Sequence, residues 1–146
     1  MGSKSDMDVM VEAEKVLQEF GIETEVVIAS AHRNPDKVAE IARTADKKYD
    51  VIIAGAGKAA HLAGVIAGHT VLPVIAVPMK TSDLGGLDSL LSMVQMPKGV
   101  PVATVAINGA QNAGILAAQI VALKDPAVKK KLLQFKLSFR PDNYRE

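Results

Sequence analysis

The chain has no cysteine and no tryptophan, and aromatic residues make up only 3% of its 146 positions. The missing thiols exclude disulfides and thiolate metal sites and fit a reducing compartment. With so few aromatics, the core has to be aliphatic, built from Val, Ile, Leu, Ala and Met. The same scarcity argues against a single-stranded nucleic-acid binder, which needs stacking platforms. Net charge is also nearly absent: 17 Lys and Arg offset 16 Asp and Glu, leaving +1. That balance supplies no basic field of the kind that draws in polynucleotides. Lys129, Lys130, Lys131 and Lys136 gather late in the chain and read as the solvated face of a helix. No apolar run reaches membrane length and no signal-peptide pattern stands out. The expectation is a soluble cytoplasmic protein without membrane or nucleic-acid partners.

What is present is enough for one globular domain, with 49% hydrophobic and 23% charged residues. Val9, Ala13, Val16, Leu17 and Phe20 recur at helical spacing, so Asp6 to Phe20 is expected as an amphipathic helix capped by Ser5 or Asp6. Val26-Val27-Ile28 makes Glu25 to Ser30 a strand candidate. Asn34-Pro35 then reads as cap and first turn of a second helix that turns Val38, Ile41 and Ala42 inward. Val51 to Ala54 and Val74 to Val77 are short continuous apolar strands, and Val102 to Ile107 is a further one. Helices are expected over Ala59 to Ala67, Asp88 to Val94 and Gln111 to Leu123. Strands alternating with helices over short connections predict βαβ units and a parallel sheet, covered on both faces because the strand runs do not alternate. Residues 1–125 form the expected α/β domain. Residues 126–146 form a helical tail that breaks at Pro141. The helix at Gln111 to Leu123 is apolar nearly all round, which predicts burial against another subunit.

Gly2-Ser3-Lys4-Ser5-Asp6 resembles a strand-to-helix turn, the place where open α/β sheets bind anions. The strand that should lead into it is apparently missing from the sequence, which would leave its neighbour with an unpaired edge.

The chemistry-bearing residues cluster after the strands. Ser30-Ala31-His32-Arg33 follows one: Arg33 suits bidentate contact with phosphate, and histidine is the side chain that exchanges protons near neutrality. The bland alternative is a surface loop in which Arg33 pairs with Asp36. Gly55-Ala56-Gly57 follows the next strand and permits close backbone approach, with His61 one turn into the following helix. The glycine spacing is not a dinucleotide fingerprint, and there is no Walker-type Gly-Lys-Ser/Thr. A metal held by His32 and His61 lacks the supporting carboxylates, so no metal is expected. The third histidine, His69, reads as structural or exposed.

Five segments occur in order: Gly2-Ser3-Lys4-Ser5-Asp6, Ser30-Ala31-His32-Arg33, Gly55-Ala56-Gly57-Lys58-Ala59-Ala60-His61-Leu62, Leu87-Asp88-Ser89-Leu90 and Gln95-Met96-Pro97-Lys98-Gly99-Val100-Pro101-Val102. Together they resemble the catalytic subunits of phosphoribosylaminoimidazole carboxylase, the class I N5-carboxyaminoimidazole ribonucleotide mutases. The resemblance runs from Gly2 to about Val121. Gly-Lys-Ala-Ala-His-Leu is similar to the mutase branch rather than the branch that uses free carbon dioxide. The resemblance implies a three-layer flavodoxin-like fold with a central parallel sheet, a homo-octamer, and an aminoimidazole ribonucleotide substrate. It also implies carboxylate transfer in purine biosynthesis without metal or organic cofactor. By the same resemblance, Ser3, Ser5, Ser30 and Arg33 hold the substrate phosphate and Asp6 the ribose, with Ala31 beside them. His32 is the general acid/base and His61 stands beside the carboxylate. Gly55, Ala56, Gly57 and Leu62 shape the pocket. Lys58 departs from the glycine of many members, and Ala63 from a usual proline.

Overall fold

A computed structural model describes residues 1–139; the break expected at Pro141 lies outside them. Three parallel strands in the order β1 (Ile52–Ala56), β2 (Val74–Pro78) and β3 (Ala103–Thr104) form the sheet. The helices are α1 (Met7–Glu19), α2 (Pro35–Thr44), α3 (Leu62–Ala67), α4 (Leu87–Val94), α5 (Ala110–Val121) and α6 (Pro126–Leu137). In β2 both faces are buried. Ile75 and Val77 pack with Met10, Ala13, Leu17, Ala113 and Ala117 of α1 and α5, whereas Val74 and Ala76 pack with Val38, Ala42, Leu62, Ile66 and Met93. The continuous apolar runs of β1 and β2 therefore belong to strands sandwiched between helical layers. The fold is α/β and flavodoxin-like.

Asn34 caps α2 as expected, its Oδ1 accepting from the Lys37 N–H at 3.2 Å, with Pro35 in the first turn. At the start of α1, where Asp6 holds the N-cap position, a 3-10 turn, Lys4–Asp6, carries a capping box that begins at Ser3, two residues before Ser5. The Ser3 hydroxyl accepts from Ser5 N, and the Asp6 carboxylate accepts from Ser3 N at 3.0 Å.

Three expectations are corrected. Glu25 to Ser30 is not a paired strand. Its backbone ladder consists of two bonds to Met1, from Met1 N to the Val27 carbonyl (2.8 Å) and from Ala29 N to the Met1 carbonyl (2.9 Å). Gly2 N donates in turn to the Gly55 carbonyl at 3.0 Å, so Met1 and Gly2 lie between this segment and β1. Deeper along the same gap is a cavity of about 470 Å³, lined by Leu17, Val26, Ile41, Ile53 and Ala117 among others. Apolar character alone does not make a strand; a ladder needs a partner along its whole length.

The strand expected over Val102 to Ile107 pairs only at Ala103–Thr104. Beyond the Val105 N–H bond to Ala76, the chain turns through Asn108 at φ +57° into α5. The helix expected to start at Ala59 starts at Leu62, because Lys58 at φ +58° and the His61-to-Ala59 turn precede it.

One face of the apolar α5 is covered by its own chain. Ala110, Ala113, Gly114, Ala117 and Ala118 are buried, largely against α1. A Cβ on Gly114 would lie 2.8 Å from the Ala13 carbonyl oxygen and 2.4 Å from Val16 Cγ1, so the two helices meet at backbone distance. Val128 and Leu132 of α6 join the same core, and Lys131 Nζ donates to the Glu19 carbonyl at the end of α1.

Candidate active site

The chain ends of the sheet converge on a pocket of about 450 Å³. The Gly2–Asp6 turn, the Ser30–Arg33 segment, the Ala56–Leu62 connection and Thr81 line it. Of the sequence-nominated residues, Ser3, Ser5, Asp6, Ser30, Ala31, His32, Arg33, Ala56, Gly57, His61 and Leu62 all face this space; Gly55 lies behind it. A Cβ at Gly55 would strike Met10 Sδ and Met79 Cε at 2.5 Å, so this glycine serves packing beneath the site.

His32 Nε2 and His61 Nδ1 are 2.9 Å apart, with the rings edge-to-face at 89°. A contact that short holds one hydrogen, so one ring donates and the other accepts. Both rings are exposed to the pocket. His61 occupies the cap position of α3 without bonding it, which leaves its side chain free for this contact. Arg33 does not pair with Asp36. Its Nη2 donates to the Gly2 carbonyl at 3.2 Å, which brings the guanidinium against the Ser3–Asp6 turn. Ser30 Oγ accepts from the Arg33 N–H, and Ser5 Oγ donates to Ser3 Oγ at 2.9 Å. The hydrogen of the Ser3 hydroxyl therefore remains available to an acceptor in the pocket. Hydroxyls, a guanidinium, the head of α1 and two histidines line this one pocket. Such a site can hold an anion and move a proton beside it.

Sequence reasoning missed Thr81, which lines the pocket from the loop after β2. Its Oγ1 is buried without a partner, and nothing about a lone threonine in a loop announces that. Lys58 does not turn its charge into the pocket. Its Nζ lies 2.7 Å from Asp83 Oδ2; the hydrogen bond and charge of each partner raise the lysine and lower the carboxyl from their usual ranges. The left-handed backbone at Lys58 costs about 1–2 kcal/mol that a glycine would avoid. Among the described residues no group of three metal-binding side chains forms a cluster. His69 is exposed at the end of α3 and takes no part.

The family model described as AIR carboxylase matches residues 1–141. The chain belongs to the AIR carboxylase family. It is 59% identical over 137 residues to the N5-carboxyaminoimidazole ribonucleotide mutase of Thermotoga maritima, covering 93% of this chain and 80% of that protein. It is 57% identical over 136 residues to the protein of the same name from Pyrococcus horikoshii, covering 92% and 77%. Among solved structures, Treponema denticola PurE superposes with a TM-score of 0.84 at 30% identity, over 94% of this chain and 87% of that one. Family membership and the histidine pair thus come from independent observations of one chain.

Proposed function

We propose that this AIR carboxylase family member is an N5-carboxyaminoimidazole ribonucleotide mutase, an isomerase of purine biosynthesis. It moves a carboxylate from the exocyclic nitrogen of the ribonucleotide to ring carbon C4. The observation that carries the reading is the His32–His61 contact at 2.9 Å in a pocket that Arg33, Ser3 and Ser5 also line. It is supported by relatives of that name at up to 59% identity.

Ser3, Ser5, Ser30 and Arg33 hold the phosphate, and Asp6 takes the ribose while bracing the turn. Gly57, Ala56 and Leu62 let the flat base approach the backbone, with Gly55 supporting them from behind. Cleavage of the N–C bond releases carbon dioxide, and the nitrogen gains a proton. C4 then attacks the held carbon dioxide, and its own proton is removed. His32 carries both protons, with His61 beside the migrating group to accept or return the shared hydrogen. Confinement matters because recapture at C4 competes with escape of carbon dioxide. These steps involve no metal or organic cofactor.

The catalytic unit is a cytoplasmic α/β domain of residues 1–125, with 126–146 as its helical tail, assembled as a homo-octamer. Self-association is supported by the apolar stripe Leu84, Leu87, Leu91 and Val94, which lies exposed along α4 and the loop before it. The deciding assay supplies N5-carboxyaminoimidazole ribonucleotide, or unmodified aminoimidazole ribonucleotide with bicarbonate. Turnover of the first alone is expected. Use of the second alone makes the chain a carboxylase, and binding without turnover makes it a non-catalytic subunit.

A further inference from the structure

Two connections meet over the pocket: Gly57–His61 after β1 and Met79–Gly86 after β2. The second is anchored at its start by Met79 N to the Ala56 carbonyl (2.9 Å) and Lys80 N to Asn108 Oδ1 (2.8 Å). At its far end Gly85 and Gly86 lie at φ +64° and +96°. A Cβ on Gly85 would meet nothing within 4 Å, so that glycine supplies backbone freedom rather than space. Between the anchors, the charged tie to the first connection is Lys58 Nζ to Asp83 Oδ2 at 2.7 Å.

Two costs run along this seam. Lys58 sits in the left-handed region. Thr81 Oγ1 and, at the start of α4, Asp88 Oδ1 are buried without hydrogen-bond partners. The two connections also approach closely, since a Cβ on Gly57 would come 2.9 Å from Thr81 Cγ2. An exposed ion pair thus spans a seam that carries backbone strain and unpaired polar atoms.

We propose that Lys58 is a positioning residue. Through Asp83 it latches the Thr81–Gly85 stretch against the Gly57–His61 loop, and the latch opens and closes as substrate enters and product leaves. The identity of the substrate rests on the mutase reading above; the latch itself does not.

The test combines hydrogen exchange with kinetics on the full chain. The variants are K58G, D83N and the charge swap K58D/D83K. Aspartate tolerates the left-handed backbone better than lysine does, so the swap does not add strain. K58G and D83N are each expected to speed exchange of the 81–85 amides about fivefold and to raise KM about fivefold, with kcat within about twofold. The swap restores both, and the Tm of K58G holds or rises. Added 4-carboxy-5-aminoimidazole ribonucleotide slows exchange of the same amides in the wild type. Salt at about 0.5 M, which screens exposed pairs, raises KM more in the wild type than in K58G, where only the attraction of Arg33 for the phosphate is left to screen. Unchanged exchange in K58G, or a swap that recovers nothing, overturns the latch. A wild-type chain without turnover overturns the mutase reading instead, and exchange still decides the latch.

Discussion

The two histidines that share a hydrogen stand on unequal supports. His61 follows β1, which is registered against β2 over five residue pairs from Ile52–Val74 to Ala56–Pro78 and has Ala54 and Ala56 buried. His32 follows Glu25 to Ser30, whose ladder is two bonds to Met1 and whose Val26 and Ile28 are exposed. One half of the dyad is fixed to the sheet; the other is carried on an arm that the sheet scarcely holds. On the function proposed above, proton transfer needs close approach at one moment and release at another, and a lightly held segment facing a firmly held strand suits that. The same segment carries Arg33, so an anion bound there as proposed would also draw on the segment that bears His32.

Four measurements would break or sharpen that contrast. The largest effect belongs to His32→Asn, expected to lower kcat by about 10²–10⁴ with substrate binding largely kept. His61→Asn should cost less, and the double variant little more than His32→Asn alone if the pair acts as a unit. Turnover of His32→Asn close to wild type would remove it from the mechanism.

Next come the supports themselves. Ile75→Ala in β2, at 0% exposure, should destabilise by about 2–5 kcal/mol in denaturant melts. Ile28→Ala on the arm, at 39% exposure, should stay within about 0.5 kcal/mol. Equal losses would mean that the arm is held as firmly as the strand.

Arg33→Gln follows, with KM expected to rise tenfold or more, since a charge-assisted hydrogen bond is worth about 1.5–3 kcal/mol. Phosphate-free nucleoside analogues should not notice the change.

The smallest effect is in acid. Lys58 holds the Asp83 carboxyl below its usual range. The contribution of that pair is therefore complete above about pH 4, the ordinary carboxylate value, and fades as pH falls through the lowered one. Both groups are exposed, so a melt should shift only slightly, and in D83N that part of the shift should vanish.

Much of this was legible in the chain. Asn34-Pro35 announces its own cap, and the unbroken apolar runs of β1 and β2 announce strands covered on both sides. The Ser3–Asp6, Ser30–Arg33 and Gly55–Leu62 segments reach one edge because β1 ends there and Met1 and Gly2 bond to both Gly55 and the 27–29 backbone. What failed depended on neighbours that local sequence does not encode. Val26-Val27-Ile28 has every strand propensity and too little to pair with. The apolar surface of α5 signals burial, but nothing local says that α1 covers one of its faces, where Gly114 meets the Ala13 backbone. Thr81 has no local signature, because its place in the site comes from packing on Gly57 across the seam.

That close crossing of α1 and α5 has a further consequence, for how variants of this protein should be interpreted. The helix that begins at the Ser3–Asp6 turn is a rod 13 residues long, about 20 Å, pressed at mid-length against Gly114. A single added methyl at Gly114 would tip the rod and carry its head out of alignment with Arg33. Such a change would look, in an activity screen, like damage to the chemistry, although it touches none of the residues proposed to perform it. The genetic footprint of the active site is therefore wider than its pocket.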